Sequence, residues 1–191
     1  MKFFNAKRIG IFLAILIGSL IFGAIFDAVM TAKEKKNYPM DPRYAEYVTA
    51  ASGEFGIPEA AIWAVCREES GFSSGLRSAD GKIGLMQISP EIFTFVSTKL
   101  LETSYETGML YDPATNLRVG TAYLAYLYER YGVWKTVFAA YTAGTEQVDT
   151  WLGNKKYVTS TGELRRLPSS VSSYVKRLDK ALSLYQKLYN R

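Results

Sequence analysis

The segment between Arg8 and Asp27 constrains the fold most, because its eighteen residues, Ile9 to Phe26, are all uncharged and mostly Ile, Leu, Phe, Ala and Gly. At a helical rise of about 1.5 Å per residue, a helix of this length spans roughly 27 Å, close to the hydrocarbon thickness of a bilayer. Apolar residues occupy every face, so a buried core helix with one apolar stripe fits the pattern poorly. Residues 9–30 therefore predict a single membrane-spanning helix.

A cleaved signal peptide is the alternative interpretation of this segment. Signal peptides usually have an apolar stretch of about 7–15 residues, followed by small residues at the cleavage site. Here the apolar stretch is longer, and Phe26, Asp27 and Met30 occupy its end. The pattern favours an uncleaved signal anchor.

Most of the positive charge of the chain lies beside this segment. The chain carries a net charge of +5, of which +4 comes from residues 1–37. The remaining residues are nearly neutral, which removes most of the support for a nucleic-acid partner. Lys2, Lys7 and Arg8 favour a cytoplasmic N-terminus, although lysines beyond the apolar stretch weaken that signal. We expect a cytoplasmic stub and anchor at residues 1–30, with the following domain on the extracytoplasmic side of the cell membrane.

The residue types that the chain lacks exclude several kinds of site. Without histidine, the protein cannot contain a Ser-His-Asp or Cys-His catalytic group or a zinc site built on histidine. Cys66 is the only cysteine, so no intrachain disulfide can form. No histidine can activate this thiol as a nucleophile, and we interpret Cys66 as a core residue. We expect neither a metal nor a cofactor.

After a polar linker at residues 31–40, the sequence predicts a compact, mainly α-helical domain over residues 41–191. Aspartate followed by proline is typical of a helix start, and glycine is typical of a helix end. These signals and the apolar spacing predict helices near residues 41–55, 58–70, 90–101, 113–131, 134–143, 145–152 and 170–188. Residues 153–166 predict either a small β-hairpin or a mobile loop.

Glu69 is the candidate functional residue that the helical pattern identifies. Ile62, Val65, Cys66 and Glu69 share one face at about 100° per residue, so this carboxyl lies within an apolar stripe. Glu68 is expected to point toward solvent. Desolvation raises the pKa of an inward carboxyl, which suits a general acid that cleaves a glycosidic bond. A structural glutamate bonded to an arginine or to backbone amides is an equal alternative.

Several short motifs, in a characteristic order and spacing, support the catalytic interpretation. They resemble those of the soluble-type lytic transglycosylases, peptidoglycan-cleaving enzymes with a goose-lysozyme-like fold. The resemblance runs from about Tyr44 to the C-terminus and implies a mainly α fold of the α+β lysozyme-like class. The motifs are Glu69-Ser70-Gly71-Phe72 followed by Ser78, Gly84-Leu85-Met86-Gln87-Ile88, Asp112-Pro113-Ala114-Thr115-Asn116-Leu117, Ala140-Tyr141-Thr142-Ala143-Gly144 and Tyr174-Val175.

The resemblance implies a role for individual residues. Glu69 matches the catalytic acid and base, Gln87 matches a substrate-contacting position, and Met86 helps to form the groove beside it. Tyr141 matches the tyrosine that faces the catalytic carboxyl, and Ser78 matches a polar position near the acid. Simpler interpretations exist, because Tyr141 and Met86 could be core residues and Gln87 could bridge backbone groups in a turn.

The implied reaction cleaves the MurNAc-β-1,4-GlcNAc bond of peptidoglycan glycan strands. Glu69 would protonate the glycosidic oxygen and, as a carboxylate, accept a proton from the C6 hydroxyl of MurNAc, which closes a 1,6-anhydro ring. The motifs contain no second acid of the kind that most glycosidases use. Two alternatives are a lysozyme-like muramidase, in which water replaces the C6 hydroxyl, and a non-catalytic peptidoglycan-binding assembly factor.

Three residues depart from the family pattern. Thr142 stands where asparagine is usual, Lys82 stands where a small residue is common, and Ser170 replaces a frequent acid. These departures bear on substrate preference and rate more than on the fold.

Overall fold

The computed structural model describes residues 6–189, which divide into two compact units between Pro39 and Met40. The N-terminal unit is a single helix, α1 (Ala6–Asn37). Its apolar side chains are exposed along the whole apolar stretch. Among the described residues, α1 is the one helix that is long and apolar enough to cross a membrane.

α1 continues beyond its apolar stretch. Residues 31–37, which the sequence assigned to a polar linker, are helical because Ala32 to Lys36 are good helix formers. Pro39 disfavours a helical conformation at the residue before it, and α1 ends at Asn37. Of the predicted cytoplasmic stub, residues 1–5, including Lys2, lie outside the described residues.

The second unit is mainly helical, as the sequence predicts. A π-helical turn (Val96–Leu100) extends its third helix, and a 3-10 turn (Thr107–Tyr111) precedes the fourth. In place of regular strands, the described residues form isolated antiparallel bridges, one of them between Val158 and Leu164 in the predicted hairpin segment. The helices are α2 (Ala45–Phe55), α3 (Glu59–Ser70), α4 (Pro90–Phe95), α5 (Pro113–Tyr131), α6 (Trp134–Ala143), α7 (Thr145–Leu152) and α8 (Ser169–Tyr189).

Among the described helices, side-chain caps at Ser89 and Asp112 explain where α4 and α5 begin. The Asp112 carboxylate accepts a hydrogen bond from the Thr115 backbone N–H at 2.9 Å, and Pro113 occupies the first helical position of α5. The predicted start at Asp41 is wrong. The Asp41 carboxylate accepts hydrogen bonds from the backbone N–H and the guanidinium of Arg43, which forms a turn, and α2 begins at Ala45.

α3 lies in the core of this unit. Its residues from Ala60 to Cys66 are all buried, and it packs against α2 and α8. α5 packs against α2 and α6, and α6 packs against α8. Gly71 ends α3 with a φ of 56°, a left-handed conformation that glycine adopts without steric cost. Glu69 therefore lies in the last turn of a buried helix.

The buried side chain of Asn116 in α5 fixes the loop from Ile83 to Ile88. Its Oδ1 accepts a hydrogen bond from the Met86 backbone N–H at 2.8 Å. Its Nδ2 donates to the backbone carbonyls of Ile83 and Leu110, both at 2.9 Å. One side chain thus satisfies three backbone groups that have little access to water.

We expect Asn116→Ala to destabilise the fold by about 2–4 kcal/mol, because it removes three buried hydrogen bonds to backbone groups, among them the bond to the Met86 N–H. Asn154→Ala is the matched control. Asn154 is exposed and accepts one hydrogen bond, from the Lys156 backbone, so its loss should cost less than about 0.5 kcal/mol. Urea unfolding of the full chain in detergent, followed by tryptophan fluorescence, measures both changes. Equal stability losses would contradict the assigned role of Asn116.

Candidate active site

The carboxyl group of Glu69 is half-buried at the junction of α3 and α8. The Tyr174 hydroxyl, from the first turns of α8, donates a hydrogen bond to Glu69 Oε1. Burial raises the pKa of Glu69, although this hydrogen bond and the Lys82 ammonium lower it; the charges of Asp80 and Glu68 raise it further. The net shift is upward, which favours the protonated acid.

Tyr141 in α6 interacts electrostatically with this carboxyl. It is 8% exposed, and its hydroxyl donates a hydrogen bond to the backbone carbonyl of Met86 at 2.7 Å. Burial and the nearby Glu69 carboxyl raise the pKa of Tyr141 well above its ordinary value. Its phenol therefore remains a neutral hydrogen-bond donor.

Met86 contributes to the site through its backbone. Its side chain is fully buried and packs so closely on Gly120 that a β-carbon there would overlap the Met86 sulfur. The expectation that Met86 helps to form the groove stays a prediction. Its backbone N–H and carbonyl connect Asn116 to Tyr141.

Gln87 occupies a strained position in the same loop. Its φ is 49°, an uncommon conformation for a residue other than glycine. Its Nε2 donates to the backbone carbonyls of Gly84 at 2.8 Å and Leu76 at 3.1 Å. Gln87 thus bridges backbone groups, as its simpler interpretation anticipates, and its contact with a substrate stays a prediction.

Ser78 closes a short loop from residue 78 to residue 82. Its hydroxyl donates to the Asp80 carboxylate and accepts from the Lys82 backbone N–H, the latter at 3.0 Å. The hydrogen bonds of the Ser78 hydroxyl thus stay within residues 78–82. Its predicted position near the acid remains a prediction, since these bonds do not reach Glu69.

The expectation that Glu68 is an ordinary surface charge is wrong. Its side chain is only 9% exposed and forms ion pairs with Arg67 and with Arg177 of α8, the latter at 3.1 Å. Helical periodicity predicts only how a side chain is oriented on its own helix. It does not predict that α8 packs over Glu68.

Tyr174 is the site residue that the sequence interpretation missed. The Tyr174-Val175 pair was only part of the family resemblance. The available signal was its position on the inward face of α8, one and two turns before the buried Leu178 and Leu182. A hydroxyl on such a face needs a partner, and here that partner is Glu69.

A groove runs beside Tyr123. The Tyr123 ring lies 5.6 Å from the Tyr141 ring and borders two adjoining cavities of about 500 and 450 Å³. Among residues 6–189, no group of three or more acidic or cysteine side chains could hold a metal ion. The lining residues that the two cavities share are Ile92, Tyr123, Thr145 and Glu146.

Comparisons with known proteins agree on one family. The family model described as "Transglycosylase SLT domain" matches residues 46–161. The soluble lytic murein transglycosylase of Escherichia coli is 36% identical over 127 residues, which cover 64% of this chain and 20% of that protein. Membrane-bound lytic murein transglycosylase C of Edwardsiella ictaluri is 33% identical over 117 residues, which cover 56% of this chain and 32% of that protein.

Solved structures agree with the sequence comparisons. The 70 kDa soluble lytic transglycosylase of Escherichia coli superposes with a TM-score of 0.73 at 30% identity, covering 81% of this chain and 25% of that one. An inactive glutamate-to-glutamine mutant of lytic transglycosylase Slt from Pseudomonas aeruginosa gives a TM-score of 0.69 at 26% identity, covering 82% and 25%. This chain spans only about a fifth of the length of the soluble relative.

Tyr174→Phe should raise the pKa of Glu69 further, because it removes the hydrogen bond that stabilises the carboxylate form. Tyr141→Phe is the control, since the Tyr141 hydroxyl bonds to a backbone carbonyl instead. The ¹³C chemical shift of the Glu69 carboxyl, assigned with the Glu69→Gln spectrum and followed against pH, measures both. A larger rise in Tyr141→Phe than in Tyr174→Phe would contradict the prediction.

Proposed function

Because the chain belongs to the transglycosylase SLT family, we propose that it is a membrane-anchored peptidoglycan lytic transglycosylase with Glu69 as its catalytic acid and base. The observation that carries this proposal is the half-buried Glu69 carboxyl, which has a raised pKa and a tyrosine donor, inside the matched segment. A related enzyme that is inactive with glutamine in place of a glutamate supports an essential carboxyl.

In the first step, protonated Glu69 donates its proton to the glycosidic oxygen between MurNAc and GlcNAc. The bond from C1 of MurNAc to that oxygen breaks, and GlcNAc leaves with the proton as an alcohol. The carbonyl oxygen of the MurNAc N-acetyl group bonds to C1 and holds the positive charge. The raised pKa of Glu69 keeps the acid protonated for this step.

In the second step, the Glu69 carboxylate accepts the proton of the MurNAc C6 hydroxyl. The C6 oxygen then bonds to C1, the bond from C1 to the acetyl oxygen breaks, and the 1,6-anhydro ring closes. Glu69 is protonated again, and the reaction consumes no water. Between the steps, the Tyr174 hydroxyl stabilises the carboxylate through its hydrogen bond.

The remaining predicted residues would shape the glycan-binding surface. Gln87 and the Met86 backbone belong to the loop that α5 holds in place, and the groove beside Tyr123 is the route we propose for the glycan strand. The Tyr141 hydroxyl donates its hydrogen bond to the Met86 carbonyl, so in this arrangement it would donate none to Glu69. We propose that Ser78 holds the adjacent loop, residues 78–82, in position.

A lysozyme-like muramidase is the second candidate function. The effect of the Asp80 charge on Glu69 favours it. The charge of Asp80 acts on Glu69, so a second carboxylate stands near the acid, as water-dependent glycosidases require. However, Asp80 is bound by Ser78 and forms an ion pair with Lys82 at 3.5 Å. These contacts give the Asp80 carboxylate a partner within its own loop.

We also propose that α1 anchors the protein as a single span, with the domain on the extracytoplasmic side. The apolar helix supports this proposal, as does the similarity to a relative named as membrane-bound. A peptidoglycan substrate places the domain outside the cytoplasmic membrane.

Glu69→Gln should lower the release of muropeptides from purified peptidoglycan by at least about 10³-fold, because it removes the acid and the base together. Glu68→Gln should retain activity within about 10-fold, since glutamine keeps the shape of the side chain and can still accept a hydrogen bond from one of its two arginines. Mass spectrometry of the products distinguishes the functions. 1,6-Anhydro ends support the transglycosylase, and reducing ends support the muramidase. No release by the unmutated protein would leave only a peptidoglycan-binding assembly factor, and equal activity of both variants would refute the role of Glu69.

Protease added to intact spheroplasts should digest the domain, whereas a cytoplasmic control protein should survive until the cells are lysed. The physical reason is the orientation that Lys2, Lys7 and Arg8 favour. Retention of the domain in the membrane fraction after a high-salt wash tests the anchor. Protection of the domain in intact spheroplasts would overturn the proposed sidedness.

A further inference from the structure

A further cavity lies against α8 and shares no lining residue with the groove beside Tyr123. Its volume of about 310 Å³ is at the lower end of the range for small-ligand sites. The start of α6 and the segment before α8 form its other walls. We call it the α8 cavity, and its lining includes Lys135, Leu164, Arg165, Val175, Lys176 and Asp179.

The segment before α8 is held in place where it borders the α8 cavity. The Arg165 backbone N–H donates a hydrogen bond to the Tyr157 carbonyl at 2.8 Å, and Val158 and Leu164 form an antiparallel bridge. The Tyr157 ring lies 6.1 Å from the ring of the buried Trp151. These contacts fix the backbone of two lining residues, Leu164 and Arg165.

The lining of the α8 cavity carries an excess of positive charge. Lys135 Nζ lies 3.8 Å from Asp179 Oδ2, so these two charges offset each other. The ion pairs among the described residues include neither Arg165 nor Lys176. Two cationic side chains are therefore available to a ligand, next to the apolar side chain of Val175.

The groove beside Tyr123 has the opposite charge. Glu91 and Glu146 line it, and none of its lining residues is basic. An anionic group is therefore disfavoured in the groove and favoured in the α8 cavity. A ligand that joins an uncharged glycan to a carboxylate fits this division of charge.

The α8 cavity lies at the same level of α8 as the tyrosine that bonds to Glu69. Val175 and Lys176 directly follow Tyr174 in the helix, and Tyr174 donates its hydrogen bond to Glu69. A helix with its side chains is about 10–12 Å wide. An extended peptide of five residues spans up to about 17 Å, so a peptide attached to a sugar at Glu69 is long enough to reach the cavity.

We propose that the α8 cavity binds the terminal alanine of a peptidoglycan stem peptide. Arg165 and Lys176 hold the carboxylate, and the alanine methyl group packs against Leu164 and Val175. This inference rests on the proposed function, because the stem peptide is attached to MurNAc, the sugar whose bond would be cleaved. A cross-link converts the terminal carboxylate of a stem peptide into an amide, so the cavity favours strands whose stem peptides are free.

Binding of a synthetic stem pentapeptide to the full chain in detergent tests the cavity directly. The methyl NMR signals of Leu164 and Val175 should shift as the peptide is added. The same peptide with a terminal amide should bind at least about 10-fold more weakly, because the amide carries no charge for the two cations. Equal binding of the acid and the amide would overturn the proposal.

A double variant, Arg165→Gln with Lys176→Gln, should weaken binding of the free acid by a similar factor. Arg166→Gln with Lys180→Gln is the matched control, because it removes the same two charges from exposed residues outside the lining. The control should bind the peptide as the unmutated chain does. Equal weakening in both double variants would show a general effect of charge and would contradict a specific site.

Product release from two soluble substrates gives an independent readout. On strands with free stem peptides, Arg165→Gln with Lys176→Gln should raise KM about 5- to 10-fold and keep kcat within about 2-fold, because the cavity holds no reacting atom. On strands stripped of stem peptides by an amidase, this variant and the unmutated chain should act equally. Equal losses on both substrates would overturn the proposal. If the unmutated chain releases nothing from either substrate, the proposed function fails, and the methyl titration still decides whether the cavity binds the peptide.

Discussion

The buried Asn116 side chain makes three hydrogen bonds to backbone groups, and the candidate site is built on the loop that these bonds fix. The loop connects three helices. Ser70 of α3 bonds to the Leu85 carbonyl, Tyr141 of α6 bonds to the Met86 carbonyl, and Asn116 belongs to α5. A polar group buried at such a point is costly unless all its partners are present, so the loop has one favourable arrangement. The strained φ of Gln87 is tolerated in this fixed backbone.

The two adjacent glutamates of α3 take different partners from one face of α8. Tyr174 and Arg177 are three residues apart and therefore lie on the same side of that helix. Arg177 pairs with Glu68, and Tyr174 donates to Glu69. The Glu68–Arg177 ion pair joins a carboxylate that is 9% exposed to a guanidinium that is 57% exposed, and it links α3 to α8 one turn from Tyr174.

The sequence predicted the features that interactions between residues close together along the chain determine. The caps at Asp112-Pro113, Gly71 and Gly132 locate helix ends, and apolar spacing places Glu69 on a buried face. The error at Glu68 arises where tertiary contacts decide, because α8 covers that side chain. At Asp41, a local ion pair with Arg43 replaced the expected cap. The role of Tyr174 was missed because its partner is 105 residues distant in sequence.

A single carboxyl that acts first as acid and then as base is subject to opposite requirements. The acid must hold its proton near neutral pH, which burial favours; the base must exist as a carboxylate, which a donor or a cation favours. Here different elements meet the two requirements. Burial at the junction of α3 and α8 raises the pKa of Glu69, whereas Tyr174 and Lys82 lower it. Burial alone would give an acid that cannot easily become a base, and strong pairing alone would give a carboxylate that holds no proton to donate. In the mechanism that we propose, the balance between them allows one residue to perform both proton transfers.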